Sequence, residues 1–110
     1  MKSALAALGA LSQETRLRVF RVLVEAGSTG LSVGEIAASV KSSPATLSFH
    51  LKELSHAGLI VARQEGRYIY YAANYAQMNG LLGYLSENCC ARDCGPRPSK
   101  RRAPRGTVKI

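Results

Sequence analysis

Residues 42–73, SSPATLSFHLKELSHAGLIVARQEGRYIYYAA, decide the fold. Ser43 followed by Pro44 is a favourable pair for the cap and the first position of a helix, and Gly58 supplies a C-terminal stop. The apolar positions between them repeat at helical spacing and are Leu47, Leu51 and Leu54. The first half of the stretch therefore predicts a helix over residues 45–57 with one buried face.

The second half of the stretch predicts a β-hairpin. The runs LIVAR at 59–63 and RYIYYAA at 67–73 are rich in Val, Ile and Tyr, and QEG at 64–66 separates them with a glycine. Such runs on either side of a short glycine-containing turn are typical of two paired strands.

Another helix precedes the decisive stretch. Ser32 and Glu35 form the S-x-x-E capping box, which marks a helix start. The inner face of this helix comprises Ile36, Ala37 and Val40. Residues 41–43, KSS, then break it, so two helices are joined by a short turn and followed by a hairpin. This order predicts a winged helix-turn-helix.

The N-terminal part predicts two more helices. Residues 3–10 form a short one with Leu5 and Leu8 on one side, and Ser12 is the expected N-cap of a longer one that ends near Ala26. The apolar stripe of the longer helix is Leu17, Phe20, Leu23 and Val24. Gly9 interrupts the N-terminal apolar stretch, which then runs into a charged helical pattern, so we interpret it as a helix and not as a signal peptide.

A last helix is predicted after the hairpin. Asn74 and Gln77 form a weaker capping box, and the helix runs from Tyr75 to about Asn88. Its apolar positions are Tyr75, Met78, Leu81, Leu82 and Leu85. The predicted fold class is therefore mainly α with a small β-hairpin, in the order α-α-α-α-β-β-α.

Charge divides the chain into two parts. The net charge is +8, and residues 92–110 hold seven of the 15 Lys and Arg but only one of the seven acidic residues. After Cys94 the sequence GPRPSKRRAPRG combines prolines with charge, a composition that disfavours packing. We predict a folded domain over residues 1–94 and a basic, disordered tail over residues 95–110. The tail either binds phosphate without reading sequence or is a solvated end.

Composition also limits the compartment. No apolar run approaches the roughly 20 residues that a membrane span needs. We therefore predict a cytoplasmic protein that makes no contact with a membrane.

The predicted DNA-reading residues cluster at the start of the second helix of the helix-turn-helix and at the hairpin tip. Small polar side chains let a backbone approach the major groove, and arginines at a tight turn suit phosphate or a narrow minor groove. The helix contributes Ser42, Ser43, Ala45, Thr46, Ser48, His50 and Lys52, and the hairpin contributes Arg63, Gln64 and Arg67. Two alternatives stay open: Ser43 only caps its helix, or His50 is a buried histidine.

The same segment resembles the winged-helix core of the ArsR (SmtB-type) family of metalloregulatory repressors. The most specific part is TLSFHLKEL at 46–54 followed by AGLI at 57–60, and LSQETRLRVFRVLVEAG at 11–27 is similar to the family's second helix. The resemblance covers roughly residues 4–94. It implies a repressor that binds double-stranded operator DNA with two-fold symmetry and is released by an inducer.

The resemblance also implies a homodimer joined by the first and last helices. The apolar residues of these helices need burial, and the small size of the core disfavours covering both from within the chain, so a partner subunit is a reasonable cover. The predicted dimer residues are Leu5, Leu8, Met78, Leu81, Leu82 and Leu85. Packing within one chain is the alternative.

Three cysteines, Cys89, Cys90 and Cys94, form the predicted sensor site. Their segment ENCCARDC resembles the C-terminal cysteine sites of arsenic-responsive members of the family. Trivalent arsenic or antimony takes three soft thiolates, whereas zinc would want a fourth ligand. Two other metal sites of the family are absent, because Ser32 and Gly34 stand where one has cysteines and residues 75–91 contain no His or Asp.

The three sulfurs would converge only if the last helix frays or ends near Cys89, because adjacent residues of a helix point about 100° apart. We therefore predict a loose site that is ordered by As(III) or Sb(III) as the inducer.

Several alternatives remain at this level. On the same fold, the cysteines could sense oxidants or persulfides, or they could bind Cd(II), Pb(II), Bi(III) or an organoarsenical. A DNA-coating protein that uses the basic tail is another class. An enzyme is disfavoured, because the chain has no Gly-rich phosphate loop and no phosphatase-like C-x5-R loop.

Overall fold

The computed structural model describes residues 1–92, which form five helices and three strands. The helices are α1 (Lys2–Leu11), α2 (Glu14–Ala26), α3 (Val33–Val40), α4 (Pro44–His56) and α5 (Tyr75–Ser86). The strands are β1 (Leu31–Ser32), β2 (Ile60–Glu65) and β3 (Tyr68–Ala73). The mainly helical, winged helix-turn-helix class is confirmed. Within this described part, none of the helices is long and apolar enough to span a membrane.

The sheet has one more strand than the sequence predicted. β3 lies in the centre, with β2 antiparallel on one side and β1 antiparallel on the other. β1 pairs Leu31 with Tyr71 and Ser32 with Tyr70. A strand of two residues has no periodic signal, and it exists only because β3 is beside it, so sequence reasoning missed it.

Local hydrogen bonds between side chains and the backbone explain where α2, α3 and α4 begin. The capping box at α3 is confirmed: Ser32 Oγ accepts from the Glu35 amide at 3.3 Å, and the Ser32 amide donates to the Glu35 carboxylate at 2.9 Å. Ser43 caps α4 by accepting from the Thr46 amide. The predicted cap of α2 is wrong by one residue, because Gln13 accepts from the Arg16 amide while Ser12 ends α1.

The core lies between α2, α3, α4 and the start of β2. The predicted leucines of α4 are buried, as are Ile36 and Val40 of α3. One position of the α2 stripe is wrong: Leu17 is 44% exposed, whereas Val19 is fully buried. Val19, Phe20 and Leu23 form the inward face instead, and Leu17 is about 200° around the helix from Val19.

α5 is the least buried of the helices in the described part. The Asn74 side chain accepts a hydrogen bond from the backbone N–H of Gln77. The backbone N–H of Asn74 donates to the Leu59 carbonyl instead of to Gln77, so only one half of the predicted capping box forms. Tyr75 anchors the helix by donating from its hydroxyl to the Val24 carbonyl at 2.8 Å. α5 has no fully buried residue and ends at Ser86, before the predicted end near Asn88.

Candidate DNA-binding surface and thiol site

The outward face of α4 carries most of the predicted DNA-reading residues. Ala45, Thr46, Ser48 and Lys52 are exposed, and Ser42 is half-buried in the turn before the helix. Ser43 both caps the helix and donates from its hydroxyl to Thr46 Oγ1 at 3.0 Å. Thr46 can still donate its own hydroxyl hydrogen to a ligand, so the face offers the hydroxyls of Thr46 and Ser48, the methyl groups of Ala45 and Thr46, and the Lys52 ammonium.

His50 points inward. It is 8% exposed, and in the described part of the chain its Nδ1 atom is buried without a hydrogen-bond partner. This placement favours the alternative of a buried histidine over a base contact. The next residue towards the N-terminus, Phe49, is 57% exposed and was not among the predicted contacts. Its position off the Leu47 and Leu51 stripe was the signal that could have found it.

The hairpin tip presents two arginines in different states. Arg63 donates from Nε to the Glu65 carboxylate at 2.9 Å and from Nη2 to the Thr29 carbonyl at 3.0 Å, and its guanidinium lies 5.3 Å from the centre of the Tyr70 ring. Arg67 follows the turn glycine and is exposed. Gln64 donates to the Gly66 carbonyl at 3.3 Å. The charge of Arg63 is therefore engaged within the chain, and it ties the hairpin to the loop before β1.

Two of the three predicted thiol ligands lie together just after α5. The Cys89 amide donates to the Ser86 carbonyl at 2.9 Å, and Asn88 and Cys90 have φ angles of 60° and 63°. The helix has therefore ended before the cysteines, as the predicted geometry required. Both side chains are exposed, and their Sγ atoms are 3.6 Å apart.

Cys94, the third predicted ligand, lies outside the described residues, as does the predicted tail. Among residues 1–92, no group of three or more His, Cys, Asp or Glu side chains is placed to hold a metal ion. The described part therefore brings two of the donors together and leaves the three-thiol site a prediction.

The predicted dimer residues fall into two groups. Met78 and Leu81 are half-buried against the core of their own chain. The other four are exposed by 41–61%, and they are Leu5, Leu8, Leu82 and Leu85. α1 and α5 contact each other. Four exposed leucines on two neighbouring helices are unusual for a surface that faces only solvent.

Comparison with known proteins agrees with this architecture. A family model described as a helix-turn-helix domain matches residues 11–63. The chain is 35% identical over 81 residues to the arsenical resistance operon repressor of Bacillus subtilis, which covers 74% of this chain and 73% of that protein. It is 40% identical over 73 residues to a cadmium resistance regulatory protein, a CadC homologue of Staphylococcus aureus, covering 66% of this chain and 59% of that protein.

Among solved structures, an ArsR-like transcriptional regulator from Rhodococcus sp. RHA1 superposes with a TM-score of 0.73 at 27% identity, covering 84% of each chain. The matched proteins are transcriptional regulators and not enzymes, which agrees with the prediction from the sequence. This chain belongs to the ArsR (SmtB-type) family of winged-helix transcriptional regulators.

Proposed function

We propose that this chain is a cytoplasmic, homodimeric repressor that leaves its operator when trivalent arsenic or antimony binds Cys89, Cys90 and Cys94. The observation that carries the proposal is the pair of exposed thiols, 3.6 Å apart, directly after the helix that bears the exposed leucines. The relationship to an arsenical resistance repressor supports the choice of inducer.

The chemistry of the donors fits this inducer. Arsenous acid and three thiols give three As–S bonds and three molecules of water, and the product needs no fourth ligand. Soft sulfur donors favour soft, thiophilic centres. Since both cysteines of the described pair are exposed, the inducer can reach them without unfolding the domain. Cys94 follows Cys90 by four residues, so a short loop could bring its sulfur to the same centre.

A second copy of the chain is the proposed cover for Leu5, Leu8, Leu82 and Leu85. α1 and α5 contact each other, so their exposed leucines lie on neighbouring elements. A dimer built on these helices carries two copies of α4, which suits an operator with two half-sites. Each copy would present Ser42, Ser43, Ala45, Thr46, Ser48 and Lys52, with Arg67 and Gln64 at the hairpin.

The site and the dimer contact share α5, and this suggests how the signal travels. Binding of three sulfurs to one centre would restrain the segment after Ser86, in which Asn88 and Cys90 have a left-handed backbone. A change at this end of α5 would tilt the subunits and alter the spacing of the two α4 helices. Coupling free energies of this kind are typically about 1–3 kcal/mol, or about 5–150-fold in affinity.

The experiment is a fluorescence-anisotropy titration of the protein on the DNA upstream of its own gene, with and without arsenite. Wild type is compared with a Cys89→Ser/Cys90→Ser/Cys94→Ser variant. We expect arsenite to release wild type and to leave the variant bound. The Ser86→Ala variant is the control, because it removes a hydroxyl bond to the Leu82 carbonyl at the same helix end and keeps all three thiols.

Thiol titration adds a readout that does not depend on DNA. Arsenite should protect all three thiols of the chain in wild type. If arsenite protected the thiols but the operator affinity stayed the same, the chain would bind arsenite without using it as an inducer, and the proposal would be wrong.

Cadmium is a second candidate inducer, favoured by the 40% identity to the cadmium resistance regulator. Cd(II) also prefers thiolates, but it accepts a fourth ligand such as water. Replacing Cys94 separates arsenite from methylated arsenicals. A methylated arsenical needs fewer thiolates than arsenite and should still act on the Cys94→Ser variant. A thiol oxidant tested on the same DNA, with reversal by a dithiol reductant, separates a redox sensor from both.

A further inference from the structure

Phe49 is an aromatic side chain left in solvent in the middle of a helix that packs well on its other face. It is 57% exposed, whereas Phe20, the other phenylalanine of the chain, is 5% exposed. Leu47 and Leu51 on the opposite side of α4 are fully or almost fully buried. The α4 sequence therefore places a large apolar side chain on the outward face of the helix, although Leu47 and Leu51 already supply the contact with the core.

The neighbours of Phe49 on that face are residues three and four positions away. They are Ala45, Thr46, Lys52 and Glu53, of which the first three were predicted to read DNA. The Phe49 ring meets the imidazole of His50 with ring centres 5.7 Å apart and planes inclined at 61°. Since His50 is buried, this edge contact gives the exposed Phe49 ring a neighbour on the core side.

We infer that Phe49 contacts the C5-methyl group of a thymine in the major groove and thereby helps to select the operator sequence. The inference rests on the proposed function, since it requires that α4 enters the groove. A phenylalanine ring has no hydrogen-bond donor or acceptor for base edges. The thymine methyl is the apolar group that base pairs present in the major groove, and Phe is among the side chains that suit it.

The expected size of the effect follows from burial of one methyl group, which changes affinity about fourfold. A dimer that makes the contact in both half-sites would lose about sixteenfold when both methyls are removed. Lys52 and the hydroxyls on the same face act on phosphates or on polar base edges, so they respond to this change much less.

The test uses deoxyuridine, which differs from thymidine only by the missing methyl. The full chain first selects its preferred sequence from a random duplex pool. Each thymine of that sequence is then replaced by deoxyuridine in turn, and affinities are measured for wild type and Phe49→Ala. We expect one or more thymines per half-site at which wild type weakens about fourfold. For Phe49→Ala, thymine and deoxyuridine at those positions should bind equally well.

Leu17→Ala is the matched control, because Leu17 is another exposed apolar residue, at 44%, on a helix outside the DNA-reading face. Its thymine preference should equal that of wild type. If circular dichroism showed Phe49→Ala to be unfolded, Phe49→Leu takes its place, and its thymine preference should fall below that of wild type.

Two results would overturn the inference and leave the repressor assignment standing: an unchanged thymine preference in the Phe49 variants, or a wild type insensitive to deoxyuridine at every position. A wild type that selects no sequence from the pool would contradict both this inference and the proposed function.

Discussion

Gly30 is a residue whose backbone conformation and surroundings both require glycine. Its φ is +78°, and a Cβ built on it would lie 2.4 Å from the Tyr71 carbonyl oxygen of the central strand. Gly66, in the turn of the hairpin, has a φ of +61°, but a Cβ built on it would lie in open space. The two glycines therefore separate backbone strain from steric conflict.

We predict that Gly30→Ala lowers the free energy of unfolding by about 2–4 kcal/mol, because β1 must move away from β3. Gly66→Ala should cost about 1 kcal/mol, the strain of a left-handed backbone alone. Urea unfolding measures both, at a fixed protein concentration because the stability of any chain that associates depends on concentration. Equal losses for the two variants would contradict the close approach at Gly30.

The two arginines of the hairpin also make different predictions. Arg63 has Glu65, Thr29 and Tyr70 as partners, whereas the Arg67 side chain is exposed at the tip. A cation already paired with a carboxylate releases few counterions from DNA, and an unpaired one releases about one for each phosphate it neutralises.

We therefore expect Arg67→Gln to reduce the salt dependence of DNA binding by about two counterions per dimer. Arg63→Gln should leave the salt dependence close to that of wild type and weaken binding through a displaced hairpin. The measurement is the slope of the logarithm of affinity against the logarithm of salt concentration. An equal drop in slope for Arg63→Gln would identify Arg63 as a phosphate ligand instead.

At the scale of elements, the stability of α5 depends on what covers its exposed face. The helix has no fully buried residue and contains Gly80 and Gly83, each of which weakens a helix interior by about 1 kcal/mol relative to alanine. Its C-terminal half carries Leu82 and Leu85, both more than half exposed. A helix with these properties would gain stability from a partner that covers its exposed leucines.

We predict that Leu82→Ser/Leu85→Ser shifts the chain from dimer to monomer. The mass measured by light scattering should fall from about twice the 11.8 kDa of one chain towards a single chain. Leu17→Ser, an exposed leucine on α2, is the control and should leave the mass unchanged. A double variant that remains a dimer would show that α5 does not form the contact.

Some of the helix starts and strands could be predicted from the sequence, and others could not. Capping residues and the hairpin are encoded within a few neighbouring residues, so Ser32, Ser43 and the β2–β3 pairing followed from the pattern. β1 exists through pairing with a strand about 40 residues later, and nothing local predicts it. The end of α5 at Ser86 likewise depends on where packing stops, because the sequence up to Asn88 still permits a helix.

For the candidate sites, residue chemistry identified the cysteines but misled for two side chains of α4. The adjacent cysteines were identified by their soft donors, and the structure brings their sulfurs together. Phe49 was missed because the predicted contacts were chosen among small and polar side chains, although its position off the Leu47 and Leu51 stripe already indicated the outward face, where it is 57% exposed. His50 shows the converse, since a polar residue type suggested a surface contact and the side chain is buried.

At the scale of the whole molecule, the distribution of charge bears on DNA binding. Six of the 15 Lys and Arg follow Pro96, outside the described residues, so the domain itself is only weakly basic. A dimer would carry twelve such charges on its two tails. Contacts between these charges and phosphates would raise affinity for every sequence alike and would make binding strongly dependent on salt.

We predict that ending the chain after Pro96 weakens binding to operator and to random DNA by similar factors and reduces the salt dependence. The ratio of the two affinities should stay close to that of the full chain, because α4 and the hairpin would read the sequence. The measurement is anisotropy on both DNAs over a range of salt concentrations. A matched variant keeps the tail length and replaces its six Lys and Arg with Ser and Gln, which separates charge from length. If truncation lowered operator affinity alone, the tail would take part in reading the sequence; if neither affinity changed, the tail charge would have no role in binding DNA.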